Sequence, residues 1–262
     1  MYLVAATVNS APRHRAENLA LVLTMLPAIR PSPSPGETSG SKTITPLDSA
    51  MEYRAGELAA DRIIHMIGTL AGAVGSAILV GIAAAVAVLP TFSASLVYAV
   101  CLVAMLGCSA AYNLASNASR RGFLRQLDHA AIFLMIAGTY TPFTTCRLHG
   151  VWAIGMTTAV WTGAVTGAAM KLICPRRIEQ VSTVAYLALG WIILVGMRPL
   201  LSSVDLQTAI LIGVGGMLYS IGIGFFLWRR LPFHNAIWHS FVLVAASCHY
   251  AAILHGVVLA RS

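Results

Sequence analysis

Five polar residues in an otherwise apolar chain have the types and spacing that chemistry needs. Ser109 and Asn113 stand four apart in SAAYN, Asn235 and His239 stand four apart in NAIWH, and Asp128 lies in LDHAAIFL. Residues four apart share a helix face, so each pair presents two side chains to one place. A carboxylate can act as a general base, an imidazole as a metal ligand or proton carrier, and an amide as a neutral oxygen ligand. An ionisable group inside an apolar span is costly, which makes Asp128 a functional candidate. Glu179 and Asp205 only flank apolar runs. His234 and His239, five apart in FHNAIWH, diverge around a helix and do not form a chelating pair. The face partner of His239 is Asn235, and His234 is expected in the headgroup region. His65, His129, His249 and His255 are secondary candidates.

The elements that must position these groups follow from composition. Of 262 residues, 58% are hydrophobic and 10% charged, against roughly 25% charged in soluble domains. That composition describes an integral membrane protein. The net charge of +8 comes from short basic clusters between apolar runs, which suits loops at a membrane surface and excludes a nucleic-acid-binding face. Membrane lipids are the expected partners. None of the five cysteines forms a CxxC pair, so buried free thiols are expected and no disulfide framework.

Residues 1–50 contain RPSPSPGETSGSKT and read as a disordered extension. The apolar stretch NLALVLTMLPAI before it is too short to span, and no small-residue cleavage site follows it. The change of character at Met51 suggests a natural start there. EYRAGELAADRIIHMIG then reads as an amphipathic lead-in to the first span. Spans are expected at about 66–89, 93–116, 128–146, 151–172, 180–197, 207–228 and 235–259. The fold class is therefore all-α: a polytopic, seven-transmembrane-helix bundle over 51–262. Even-numbered loops carry Arg120, Arg121, Arg125, Lys171, Arg176, Arg177, Arg229 and Arg230, and odd-numbered loops only Arg147 and Arg198. This bias of eight to two places the N-terminus inside and the C-terminus outside.

With that topology, the end of span two, the start of span three and the start of span seven share one level near the cytoplasmic side. Ser109, Asn113, Asp128, Asn235 and His239 therefore converge. Residue types alone leave two readings open: a hydrogen-bond network that holds helices together, or a binding or catalytic site.

LDHAAIFLMIAGTYTPF (127–143), NAIWHSFVLVAASCHY (235–250) and GELAADRIIHMIG (56–68) resemble the signature segments of the hemolysin III proteins, relatives of the progestin and adipoQ receptors. The resemblance covers 52–258. It implies seven helices, a cytoplasmic N-terminus and residence in a bacterial plasma membrane. It also implies a zinc ion held by three histidines, one ending span two and two opening span seven, with an aspartate at the start of span three and a serine nearby. Those positions are Asp128 and Ser109 for the aspartate and serine, and His239 for one histidine. The other two histidine positions hold Asn113 and Asn235. Three arrangements remain open: a metal-free network, a harder or more weakly held ion on the amide oxygens, or zinc completed by a neighbour such as His129 or by water. With a metal, the resemblance implies hydrolysis of a lipid amide or ester, with Asp128 as general base. Without one, it implies a role in sensing lipid composition or in lipid homeostasis. A pore-forming cytolysin is the third reading, although no charged stripe lines the spans.

Overall fold

The structure, a computed structural model, describes residues 46–115, 118–174 and 181–260. Residues 1–45, most of the expected disordered extension, lie outside it. Among the described residues every regular element is helical. The α-helices are α1 (Pro46–Val86), α2 (Leu89–Leu114), α3 (Ala118–Cys146), α4 (Gly150–Ile173), α5 (Ser182–Gly190), α6 (Met197–Leu201), α7 (Leu206–Leu227) and α8 (His234–Ile253). Four segments are long and apolar enough to cross a membrane: Gly56–Val86 of α1, α2, α7, and His234–Val258. The apolar side chains they leave exposed, such as Leu70, Val100 and Ile210, are what lipid would cover.

Small residues set how closely α1 approaches its neighbours. A side chain at Gly68 would overlap Leu243 of α8, and one at Gly72 would overlap Leu106 of α2. The Tyr250 hydroxyl donates to the Gly75 carbonyl at 2.9 Å. Contacts Asp61–His239, Gly68–Leu243 and Gly75–Tyr250 climb both helices together, so α1 and α8 run parallel. The interior is filled by Leu79, Tyr98, Phe133, Val160 and Ile253.

Three sequence expectations change. The fifth span, expected as one run over 180–197, is instead α5, a 3-10 turn at Trp191–Leu194, and α6. Such a break frees backbone groups that cannot be left unpaired in an apolar setting. Tyr140 of α3 takes up two of them: its hydroxyl donates to Gly190 O at 2.6 Å and accepts from the Ile193 N–H at 3.0 Å. Lys171 is not a loop residue, since it sits in α4 with 1% exposure and its ammonium 3.4 Å from the Ser182 hydroxyl. Removing it from the loop count leaves seven basic residues against two. Finally, Asp61, which the sequence places in the amphipathic lead-in ahead of the first span, is only 8% exposed on the inner face of α1.

Candidate metal centre

Asp61 and His65 lie one turn apart on α1, on the face that meets α8. His239 reaches them from the second turn of α8. Its Nδ1 stands 2.7 Å from Asp61 Oδ1, and His65 Nε2 stands 3.7 Å from Asp61 Oδ2. The two imidazoles meet edge to face with ring centroids 4.2 Å apart. One ligand-capable atom from each of the three residues falls within 4.8 Å of the others. Asp61 and His65 are buried and His239 is half-buried.

The local fold holds this geometry one turn below the site. Phe233 caps α8 in the left-handed region at φ 56°, a conformation costing a bulky residue about 1–3 kcal/mol. Its N–H is fixed by Glu57 Oε1 of α1 at 2.8 Å. Glu57, Asp61 and His65 follow one another at four-residue steps, so the same face of α1 first anchors the entry of α8 and then meets His239.

A second acidic group stands beside the cluster. The Asp128 carboxyl, from α3, lies close enough to the Ser109 side chain of α2, and to His239 and Asp61, for all three to act on its charge. Of the five residues singled out by sequence, Asp128, Ser109 and His239 thus share one neighbourhood. Asn113 donates its amide N–H to the Ser109 backbone carbonyl at 2.9 Å, and Asn235 is exposed. Among the described residues, neither amide hydrogen-bonds His239. Asp61 was missed because it sits between Ala60 and Arg62 in a segment that reads as an amphipathic lead-in ahead of the first span. The available signal was DRIIH: a carboxylate and an imidazole at i,i+4, with Glu57 one turn earlier.

The profile of the family described as Haemolysin-III related matches residues 60–250. The chain belongs to that family. It is 38% identical over 134 residues to a Hemolysin-3 homolog of Bacillus subtilis (strain 168), covering 51% of this chain and 63% of that one. It is 42% identical over 128 residues to Hemolysin-3 of Bacillus cereus, covering 49% and 58%. It is 28% identical over 165 residues to the human Monocyte to macrophage differentiation factor, covering 60% and 67%. The matched segment spans less than two thirds of either Bacillus protein. No solved structure matches the chain.

Zinc is the ion that the family resemblance implies, and the donors can be tested for it. Two donors on a tetrahedral ion with bonds of ~2.1 Å stand about 3.4 Å apart. The Asp61–His239 and Asp61–His65 separations, 2.7 and 3.7 Å to the two different carboxylate oxygens, bracket that value, and one donor atom from each of the three residues lies within 4.8 Å of the others. The buried His65 Nε2 has no hydrogen-bond partner. Leaving such an atom unpaired costs about 1–3 kcal/mol, and an ion among these donors would relieve it. Two imidazoles and a carboxylate are a set that holds zinc in proteins, whereas the set His239, Asn113 and Asn235 offers one imidazole and two neutral amides. The residues fit a divalent metal on Asp61, His65 and His239.

Proposed function

We propose that this haemolysin-III related protein is a metal-dependent hydrolase of lipid amide or ester bonds that acts in membrane lipid homeostasis. The observation that carries the reading is the Asp61–His65–His239 cluster, two of its three members buried, with Asp128 and Ser109 of two further helices near it. A divalent metal, zinc by preference, would be held by Asp61, His65 and His239. When bound, it supplies Lewis acidity, which brings the pKa of a water toward about 7. Asp128 takes the proton from the attacking water and returns it to the leaving amine or alcohol. Ser109 holds the Asp128 carboxyl in place. The apolar walls exclude bulk water and accept acyl chains.

The topology belonging to this reading is seven spans in a bacterial plasma membrane, with the N-terminus and the site on the cytoplasmic side. The parallel course of α1 and α8 supports an odd number of crossings, and the basic residues at the even-numbered loops support the orientation.

The test is metal analysis of purified protein together with turnover of a fluorescent ceramide and a fluorescent lysophospholipid in nanodiscs. One equivalent of metal and hydrolysis of one lipid class, both lost in His239→Ala and His65→Ala, are expected. Asp128→Asn should keep the metal and lose turnover. Protein without metal, or with metal retained after His239→Ala, refutes the reading.

A further inference from the structure

The opposite end of the bundle carries a second polar site that the hydrolase reading does not use. His255 lies sixteen residues beyond His239, or about 24 Å along the helix. Two cavities meet there, of about 450 and 480 Å³, and both are lined by Arg147 and Ser203. Asp205 and His255 line the first, and His149 and Trp152 line the second. Both are open clefts at the protein surface rather than enclosed cavities.

Arg147 and Asp205 are the permanently cationic and the anionic side chain of the first lining. Arg147 follows the end of α3, and its Nε donates to the Gly256 carbonyl at 2.6 Å. That carbonyl belongs to a π turn at Leu254–Val258 closing α8, a geometry enriched at functional sites. Among the described residues, Arg147 has no carboxylate within ion-pair distance. Asp205 caps α7 by accepting from the Thr208 N–H at 3.2 Å, and His255 Nδ1 lies 3.5 Å from its other oxygen. The hydrogen bond from the Thr208 side chain is the first cause holding the Asp205 carboxyl below its ordinary range, so it is charged at neutral pH. The Asp205 side chain is 50% exposed, which leaves it open to a ligand.

We propose that this cleft binds a phosphoethanolamine group, with the phosphate on Arg147 and the primary ammonium on Asp205. A guanidinium is the side chain best shaped for phosphate. A carboxylate accepts N–H hydrogen bonds, which an ammonium offers and a quaternary amine cannot. Quaternary amines are instead held in cages of Trp, Tyr and Phe, and Trp152 is the one such residue in either lining. Trp152 stands at the start of α4 with Val151 and Ile154 exposed around it, as an interfacial tryptophan beside acyl chains does. That setting favours a phospholipid headgroup over a free solute.

The test titrates delipidated full-length protein with phosphatidylethanolamine, phosphatidylcholine, phosphatidylglycerol and soluble glycerophosphoethanolamine, read by native mass spectrometry. The wild type should hold phosphatidylethanolamine at least tenfold better than either of the other lipids. Asp205→Asn should bring the ethanolamine-to-choline ratio close to one, and Arg147→Gln should weaken every phosphate ligand about tenfold. Soluble glycerophosphoethanolamine binding as tightly as the lipid would support the same chemistry and assign it to a free solute. Three lipids bound alike by the wild type, or a ratio unchanged in Asp205→Asn, overturns the proposal. If Arg147→Gln does not fold, the Asp205→Asn ratio decides alone, because that side chain lies at the surface.

Discussion

Replacing Asp61 by asparagine should change stability by amounts that depend on whether metal is present. In chelator, Asp61→Asn keeps an oxygen that can accept from His239 Nδ1, now at 2.7 Å. It exchanges a charge-assisted bond, worth about 1.5–3 kcal/mol, for a neutral one, but also removes a buried carboxylate whose desolvation offsets much of that gain. The net change in chelator should stay within about 1 kcal/mol. With zinc at a hundred times the wild-type Kd, binding stabilises the wild type by about 2.7 kcal/mol. Loss of a direct ligand should exceed the ~10–100-fold affinity losses seen for outer partners. At the same zinc concentration the variant then keeps at most about 0.4 kcal/mol of that stabilisation. The zinc-dependent gap of about 2.3 kcal/mol corresponds to roughly 5–9 °C in Tm for a chain of this size. The assay is thermal unfolding in detergent, with chelator and with zinc, for both proteins. Equal zinc-induced shifts in the two, or an equal deficit of the variant in chelator and in zinc, would refute the assignment of Asp61 as a ligand.

Asn113→Ala and Asn235→Ala should leave metal content unchanged by elemental analysis, since the proposed ligands are Asp61, His65 and His239; loss of metal in either would restore them as ligands. Tyr140→Phe unpairs the Gly190 carbonyl and the Ile193 N–H, and should cost about 1–3 kcal/mol in denaturant titration. Gly167→Ala drives a methyl into the buried Phe133 ring and should lower stability by about 1–3 kcal/mol. Gly155→Ala, in the same helix with open space around it, should raise stability by about 0.5–1 kcal/mol, and thermal melts of the pair compare the two directly.

The apolar runs made an all-helical membrane protein legible, because a span must carry its own hydrogen bonds and its own lipid-facing side chains. Topology alone also brought Ser109, Asp128 and His239 to one level. What the sequence hid depends on contacts made far along the chain. Asp61 reads as part of an amphipathic lead-in until α8 lies against it. Lys171 reads as part of a basic loop, but α4 carries it into the interior beside Ser182. The break in the fifth span has a local trace in Gly190 and Gly196, yet the hydroxyl that makes it tolerable comes from Tyr140, fifty residues earlier. Local pattern reports which groups are apolar, not which partner arrives to satisfy the polar ones.

The Asp61–His239 contact joins residues 178 positions apart. A ribosome adding about 5–20 residues per second needs roughly 10–35 s to cover that stretch. During this interval Asp61 is already made and its partner does not yet exist. Until then α1 holds only His65 beside that carboxylate, and α8 brings the closer partner. A chain cut before α8 would keep the Asp61–His65 contact and lose the shorter of the two.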